Sequence, residues 1–360
     1  MSQTALFKLP DGRAWYGQGP FQGHAHRPEG PAFYVNDFEL SDPLPWKEPA
    51  RLWQLQPAEE LPAEALPGSQ ATPRIQWSKP QTECFKMVFR RIRREVQAGR
   101  LKKMVPAMAE QGSLLAGHPL ALLPHLRRAG SHAWAYAWGD EGRGFLGLTP
   151  ELLLQCAEGR LSTMALAGTA KPGGREAFES DAKEIEEHEL VVESLFEQLS
   201  ALGQVKRSAR GLLQAGSLLH FHSALELELA QPVEAELLIE RLHPTPAVGC
   251  LPRDERWMQR LRLFRRQLEV PEFFGAPFGF SEGGAAHCPL WLVVAIRGLG
   301  WEQGKVSLPS GCGIVSGSAF DHEWRELRLK REAVLRQLDL EGEAKAEKSQ
   351  LVATTKADAA

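Results

Sequence analysis

The chain has little that would tie it to a membrane, an oxidising compartment or a nucleic acid. No stretch of its 360 residues reaches the run of about 18 apolar residues that a membrane-spanning helix needs. The opening segment, Met1-Ser2-Gln3-Thr4-Ala5-Leu6-Phe7-Lys8-Leu9-Pro10, has no apolar core of the kind a secretory leader carries. Its 5 cysteines (Cys84, Cys156, Cys250, Cys288 and Cys312) show no CxxC spacing. An odd number without a metal pattern argues for free thiols in a reducing, cytoplasmic setting. Neither sign of charge dominates: 42 Lys and Arg against 45 Asp and Glu leave a formal charge of −3, which gives no reason to expect a polyanionic partner. The basic run Arg90-Arg91-Ile92-Arg93-Arg94 has no aromatic platform beside it and reads as a solvated helix face. No internal repeat is visible, and nothing calls for an obligatory protein partner.

What is present is enough apolar sequence, with 10 Trp, to fill a large core. Residues 1–76 hold short apolar pieces broken by Pro and Gly, such as Ala32-Phe33-Tyr34-Val35, and read as the β-rich N-terminal part of one domain. Residues 77–340 are expected to form the main body of that domain. Within them, Phe85, Val88, Phe89, Ile92 and Val96 share one face of a helix over 81–98. Strands are expected at Lys103 onward, 132–138, 145–148, 160–166, 305–308 and 314–315. Leu290 to Leu299 reads as one buried strand. Asp181 and Ser318 have the spacing of helix caps, opening helices to about Leu202 and Leu338. Residues 341–360, poor in apolar side chains, read as a disordered tail. Many strands and few long helices in mixed order indicate an α+β fold.

Two acidic stretches carry the chemistry. In Asp181-Ala182-Lys183-Glu184-Ile185-Glu186-Glu187-His188, and again in Glu323-Trp324-Arg325-Glu326-Leu327-Arg328-Leu329-Lys330, two carboxylates lie three residues apart and so share a helical face. Each follows a Gly-containing turn, Ala167-Gly168-Thr169 and Gly311-Cys312-Gly313. Glu-rich faces are usually only solvated, but two of them converging would present hard oxygen ligands to one Mg²⁺ and leave part of its shell open.

Five segments in order resemble the chorismate-utilising enzymes, the family of isochorismate, salicylate, anthranilate and aminodeoxychorismate synthases. They are Gly147-Leu148-Thr149-Pro150-Glu151, Ala165-Leu166-Ala167-Gly168-Thr169, the first acidic stretch through Val192, His243-Pro244-Thr245-Pro246-Ala247, and Ser310-Gly311-Cys312-Gly313-Ile314-Val315 with the second acidic stretch. The resemblance spans about residues 80–338 and is nearest to isochorismate synthase. It implies two packed β-sheets flanked by helices, chorismate as a small-molecule substrate, and Mg²⁺ as cofactor.

By this resemblance Glu151 is the general acid for the departing 4-hydroxyl. It needs a raised pKa to donate near neutrality. Lys103 is the base that activates water, and it must be partly neutral to do so. Lys102, on the other side of the strand, is its one-residue alternative. Where the family carries a Lys-Val-Val-Leu-Ala-Arg strand, this chain has Lys103-Met104-Val105-Pro106-Ala107-Met108. Pro106 removes a ladder N–H, so the strand must be an edge or break there. Met108 removes an arginine that would have formed an ion pair. Ala167 stands where aminodeoxychorismate synthases often carry a nucleophilic Lys, which favours water as the nucleophile.

Glu187 and Glu326 correspond to the family's direct Mg²⁺ ligands, with Glu184 and Glu323 one turn earlier holding the ion's waters. Arg297 and Lys330 correspond to carboxylate clamps. Gly168, Thr169, Gly311 and Gly313 bring backbone N–H groups to the substrate. His243 and His220 are each either substrate contacts or core hydrogen-bonding groups, and His188 reads as structural. The expected activity is isochorismate synthase, an isomerase of the hydroxymutase type feeding menaquinone or a catecholate siderophore. Salicylate synthase, anthranilate or aminodeoxychorismate synthase component I, and a chorismate-binding protein without turnover are the alternatives.

Overall fold

The computed structural model describes residues 3–63, 71–130, 133–284 and 288–340. The first strands are β1 (Thr4–Lys8), β2 (Ala14–His24), β3 (Ala32–Val35), β4 (Trp46–Leu55) and β5 (Arg74–Trp77). Helix α1 (Thr82–Gln97) leads to β6 (Lys103–Met104), β7 (Ala107–Ala116), α2 (Leu123–Arg128), β8 (Trp134–Gly139), β9 (Arg143–Thr149), β10 (Leu152–Ala157) and β11 (Arg160–Ala170). Then come α3 (Arg175–Glu179), α4 (Ala182–Ser200), β12 (Gly203–Arg207), β13 (Gly211–Ala215), β14 (Leu218–Leu229), α5 (Ala235–Leu242), β15 (Cys250–Leu251) and α6 (Glu255–Gln267). The chain closes with β16 (Pro277–Ser281), β17 (Leu290–Val294), β18 (Gly298–Glu302), β19 (Lys305–Gly311) and α7 (Phe320–Gln337).

Seventeen strands hydrogen-bond in one unbroken, antiparallel network, and β6 pairs with β15 apart from it. One half runs β5-β7-β19-β18-β9-β8-β1-β2. Through β4 and β3 it passes into the second half, β16-β17-β10-β11-β14. The two halves fold face to face. Phe7 and Trp15 of β1 and β2 meet Phe278, Phe280 and Trp291 of β16 and β17, with ring centroids 4.6 to 6.3 Å apart, although these strands are far apart in the hydrogen-bonding order. This aromatic layer is the inside of the α+β sandwich. The outer face of the second half carries α1, α4, α5 and α6 over a core that includes Phe85, Leu195, Ile239 and Phe264. The other outer face is covered by α2 and the end of α7. The strands of residues 1–76 are built into the same sheet as the rest, through β1 with β8, β3 with β16 and β5 with β7. No described helix is long and apolar enough to cross a membrane.

Several local expectations change on the backbone. The apolar run Leu290 to Leu299 is two strands, because the chain turns at Ala295-Ile296-Arg297, with Arg297 at φ 56°. Ala167-Gly168-Thr169 is a bulge within β11 rather than a turn: pairing with β14 shifts between Ala167 and Ala170, and Gly168 takes φ 71°. Ile314 makes one isolated bridge to Met104 and no strand. Asp181 caps α4 as its spacing predicts, accepting from the Lys183 and Glu184 N–H groups. Ser318 does not cap α7; its hydroxyl accepts from the Val315 N–H and donates to the Gly313 carbonyl, tying the preceding loop instead. The proline at 106 does break the strand, separating β6 from β7. His132 and the tail 341–360 lie outside the described residues.

Phe278 is fully buried and touches Phe7, Tyr136 and Phe145 across the sandwich. Phe278→Ala is expected to lower unfolding free energy by about 3–5 kcal/mol, read as a lower midpoint in a urea titration.

Candidate functional site

The acidic stretches do converge. α4 brings Glu184 and Glu187, α7 brings Glu323 and Glu326, and all four are buried. Beside them opens a cleft lined by Glu151, Ala167, Gly168, Thr169, Glu187, His220, Ala247, Arg297, Ser310, Gly311, Gly313 and Lys330, among others. Of the residues expected from the sequence, Glu151, Gly168, Thr169, Glu187, Arg297, Gly311, Gly313 and Lys330 thus meet on one wall or another.

Three local features let the carboxylates approach one another. The bulge at Gly168 turns the Thr169 N–H toward Glu184 Oε2, 3.1 Å away, and the Thr169 hydroxyl donates to Glu326 Oε1 at 3.1 Å. A Cβ on Gly168 would stand 2.9 Å from Glu184 Oε2, and one on Gly313 would stand 2.0 Å from Glu187 Oε1. Cations supply the rest. Lys103 Nζ lies 3.1 Å from Glu187 Oε1. Lys330 pairs with Glu326 and donates to the Gly311 carbonyl at 2.7 Å. Lys183 Nζ sits 3.0 Å from Glu184 Oε1, 3.1 Å from Glu187 Oε2 and 3.2 Å from Glu323 Oε1. Burial penalises the Glu187 charge, but Lys103, Lys183 and Lys330 outweigh it and hold this carboxyl below its usual range. Glu184 goes the other way: burial and the Glu326 charge raise it.

Glu151 sits between β9 and β10, its backbone held by the Thr149 hydroxyl at 3.2 Å and the Val294 N–H at 3.0 Å. Burial pushes its carboxyl up to about 7, against the opposing pull of a Thr245 hydrogen bond and the charges of Lys103, Lys330 and Arg297. Across the cleft, Arg297 donates from Nη2 to His220 Nε2 at 3.1 Å, and His220 Nδ1 lies 2.6 Å from the Gly168 carbonyl. A carbonyl only accepts and a guanidinium only donates, so the proton of His220 is on Nδ1 and the ring is neutral. Burial and the Arg297 charge, which hold its pKa well below the ordinary value, agree.

Some expectations place differently. His243 turns away from the cleft: its Nε2 donates to the Phe38 carbonyl at 2.8 Å and its ring meets Phe38 edge-on. The same loop contributes Thr245 instead, whose hydroxyl donates to Glu151 Oε1 at 3.2 Å. Lys103 is fully buried one layer behind the lining, shielded by Glu187 and Gly313. Lys102 is exposed and faces outward, as strand alternation requires. His188 is a core residue bonded to Ser223 at 3.0 Å. Met108 is buried in the core. Three members of the site carry no role in the sequence reading: Lys183, Thr245 and His322. Their signal was position alone, inside or next to the acidic stretches and the His-Pro-Thr-Pro-Ala segment.

The donor set fits a hard divalent cation. Both Glu323 carboxylate oxygens and Glu326 Oε2 are buried with no hydrogen bond, the 3.2 Å contact of Lys183 with Glu323 being an ion pair without hydrogen-bond alignment. One ligand atom each from Glu184, Glu326 and the half-exposed His322 lie within 4.8 Å of one another. Carboxylate oxygens suit Mg²⁺, and an imidazole on the rim does so less well.

The sequence pattern of the family described as chorismate binding enzyme matches residues 47–339. The salicylate biosynthesis isochorismate synthase of Pseudomonas aeruginosa is 30% identical over 294 residues, 78% of this chain and 59% of that protein. Isochorismate synthase EntC of Escherichia coli K12 is 32% identical over 209 residues, 54% of this chain and 51% of that protein. The chain thus spans between half and three fifths of the length of these curated relatives. The solved structure of MenF, the menaquinone-specific isochorismate synthase from Escherichia coli, superposes with a TM-score of 0.75 at 21% identity, covering 93% of this chain and 88% of that one; at that identity it speaks for the fold.

Thr245→Val removes one hydroxyl and little else. Since the lost hydrogen bond stabilises the charged carboxylate, the Glu151 titration midpoint is expected to rise above about 7, measured by ¹³C-carboxyl NMR or carboxyl infrared bands across pH.

Proposed function

We propose that this chain, which belongs to the chorismate binding enzyme family, is a Mg²⁺-dependent isochorismate synthase. The observation that carries this reading is a buried carboxyl at Glu151, poised at about 7, facing a cleft that Arg297, Lys330 and Glu187 also line, with the other three carboxylates of the buried cluster beside it. An acid, cationic clamps and a metal cradle around one small cavity are what conversion of a small dianion by exchange of a hydroxyl requires.

Once released from its 3.1 Å ion pair with Glu187 and in its neutral form, Lys103 takes a proton from water, which adds to C2 of the ring as the double bond shifts. The C4–oxygen bond breaks, and Glu151 gives its proton to the departing hydroxide. One water enters and one leaves, so chorismate and isochorismate are isomers. Arg297, held by neutral His220, grips the enolpyruvyl carboxylate. Lys330 and the N–H groups about Gly311 and Gly313 hold the substrate from the opposite wall. Mg²⁺, when bound by Glu187 and Glu326 with Glu184 and Glu323 beside them, would neutralise the ring carboxylate and orient it. Burial serves both ends of the reaction, because it keeps Glu151 protonated near neutrality and strengthens each charge contact.

The test is proton NMR of chorismate incubated with the purified protein and Mg²⁺, without ammonia. Isochorismate accumulating toward an equilibrium mixture is expected. Salicylate with pyruvate would replace the reading by salicylate synthase, and unchanged chorismate with saturation-transfer contact would leave a binding protein. Glu151→Gln is expected to lower kcat by about 10²–10⁴-fold with the fold intact, as is Lys103→Ala; normal turnover in either would sink the assignment of that residue. Glu151 works protonated, so kcat is expected to fall as pH rises through about 7.

A further inference from the structure

Lys183 is the only lysine or arginine among the described residues that contacts carboxylates of both acidic helices, Glu184 and Glu187 on α4 and Glu323 on α7; the half-exposed His322 stands farther off, 4.0 Å from Glu184 and 3.7 Å from Glu323. Lys103 and Lys330 each engage one carboxylate, Glu187 and Glu326 respectively. The Lys183 side chain is only 12% exposed. This ammonium donates hydrogen bonds to Glu184 and Glu187 and forms an ion pair with Glu323, so it engages three different glutamates of the proposed metal cradle.

We infer that Lys183 is a tethered stand-in cation: in the metal-free protein its ammonium neutralises the carboxylate cluster, and a divalent cation displaces it toward solvent. The inference rests on the metal site proposed above and says how that site survives without its ion. Like charges brought together without a counter-ion would drive the two helices apart, since a buried charge is costly unless paired. A divalent cation draws on the same oxygens, and two cations sharing them would repel, so occupancy is exclusive. The side chain has a way out. Lys183 is in the first turn of α4, and its stem lies against Gly317, where an added Cβ would stand 3.3 Å from Lys183 Cβ. Ser316 and Gly317 are themselves exposed. The long lysine stem can carry its head to water there.

The first experiment uses the unaltered protein. Lysine acylation by an N-hydroxysuccinimidyl ester, read peptide by peptide in the mass spectrometer, is expected to modify Lys183 slowly in EDTA and faster with saturating Mg²⁺. Equal or greater protection with Mg²⁺ would overturn the displacement. The second uses Lys183→Met, titrated with Mg²⁺ in a calorimeter without chorismate. Loss of the competitor is expected to tighten Mg²⁺ binding by about tenfold or more. The variant's Tm should also fall in EDTA and gain more from Mg²⁺ than the unaltered protein's does. Unchanged or weaker Mg²⁺ binding, with Tm lowered equally in both conditions, would make Lys183 a plain structural ion pair. Absence of Mg²⁺ binding to both proteins would remove the metal site and this role together, whereas Mg²⁺ binding equally to both removes the role alone. Should Lys183→Met fail to fold, the acylation result on the unaltered protein decides.

Discussion

Four glutamates from two helices, buried within reach of one another, are the constraint to which the rest of this molecule answers. Removing a single carboxylate from water costs several kcal/mol even after relaxation, and here four are removed together. Every unusual feature nearby offsets that cost. Lys103, Lys183 and Lys330 bring counter-charge. The Thr169 N–H and hydroxyl reach one carboxylate on each helix, and they can do so because a strand bulge at Gly168 turns the backbone toward α4. Gly313 leaves the space that Glu187 fills. The compensation is nonetheless incomplete, since both Glu323 oxygens and one of Glu326 accept no hydrogen bond. A cluster built only for stability would close that deficit, because replacing a buried ion network by apolar side chains is often neutral or better. On the proposed function, the deficit is the place kept for a cation.

The folded sheet is what makes such a site tolerable. Its two halves press an aromatic layer between them, and the burial of large aromatic side chains, each worth roughly 1.5–3 kcal/mol, stabilises the frame from which the polar wall is hung. Arg297 illustrates the dependence. It sits at φ 56° between β17 and β18, a conformation that costs an L-residue on the order of 1–3 kcal/mol and persists only where the surroundings over-determine it. Here they do: the Ala295 N–H is bonded to Ala276, and the Ile296 carbonyl accepts from the Tyr136 hydroxyl. The turn that ends the buried strand early is thereby the device that swings the guanidinium into the cleft beside His220.

That turn also marks the limit of what the sequence discloses. The apolar run Leu290 to Leu299 reads as one strand because periodicity carries no information about a left-handed residue within it. Helices α1 and α4 are legible almost to the residue, the first from its apolar stripe and the second from the Asp181 cap. The four glutamates are legible too, since a spacing of three puts each pair on one helical face. What one dimension cannot supply is the direction in which a side chain in a loop points. His243 and Thr245 lie two residues apart in a proline-bounded loop, and the one that reaches Glu151 is the threonine, while the histidine bonds to Phe38. Lys183 was in view as part of its motif, yet its three-way contact depends on α7 arriving from far along the chain.

The same burial sets Glu151 and Glu187 to opposite tasks. Both are almost wholly removed from solvent, so desolvation pushes both upward by itself. Glu187 has a lysine ammonium at 3.1 Å from each of its oxygens, and that attraction reverses the sign. Glu151 has one neutral hydroxyl in contact, and the cations act on it only from a distance. The difference is one of partner type rather than depth. On the proposed function, it leaves a charged carboxylate where a cation would be held and a neutral, proton-bearing one where a hydroxyl would leave. Separating the pKa values of two carboxyls by their environments is how a single site supplies both an acid and an anion at one pH, and in this chain the separation follows from which of them faces lysine.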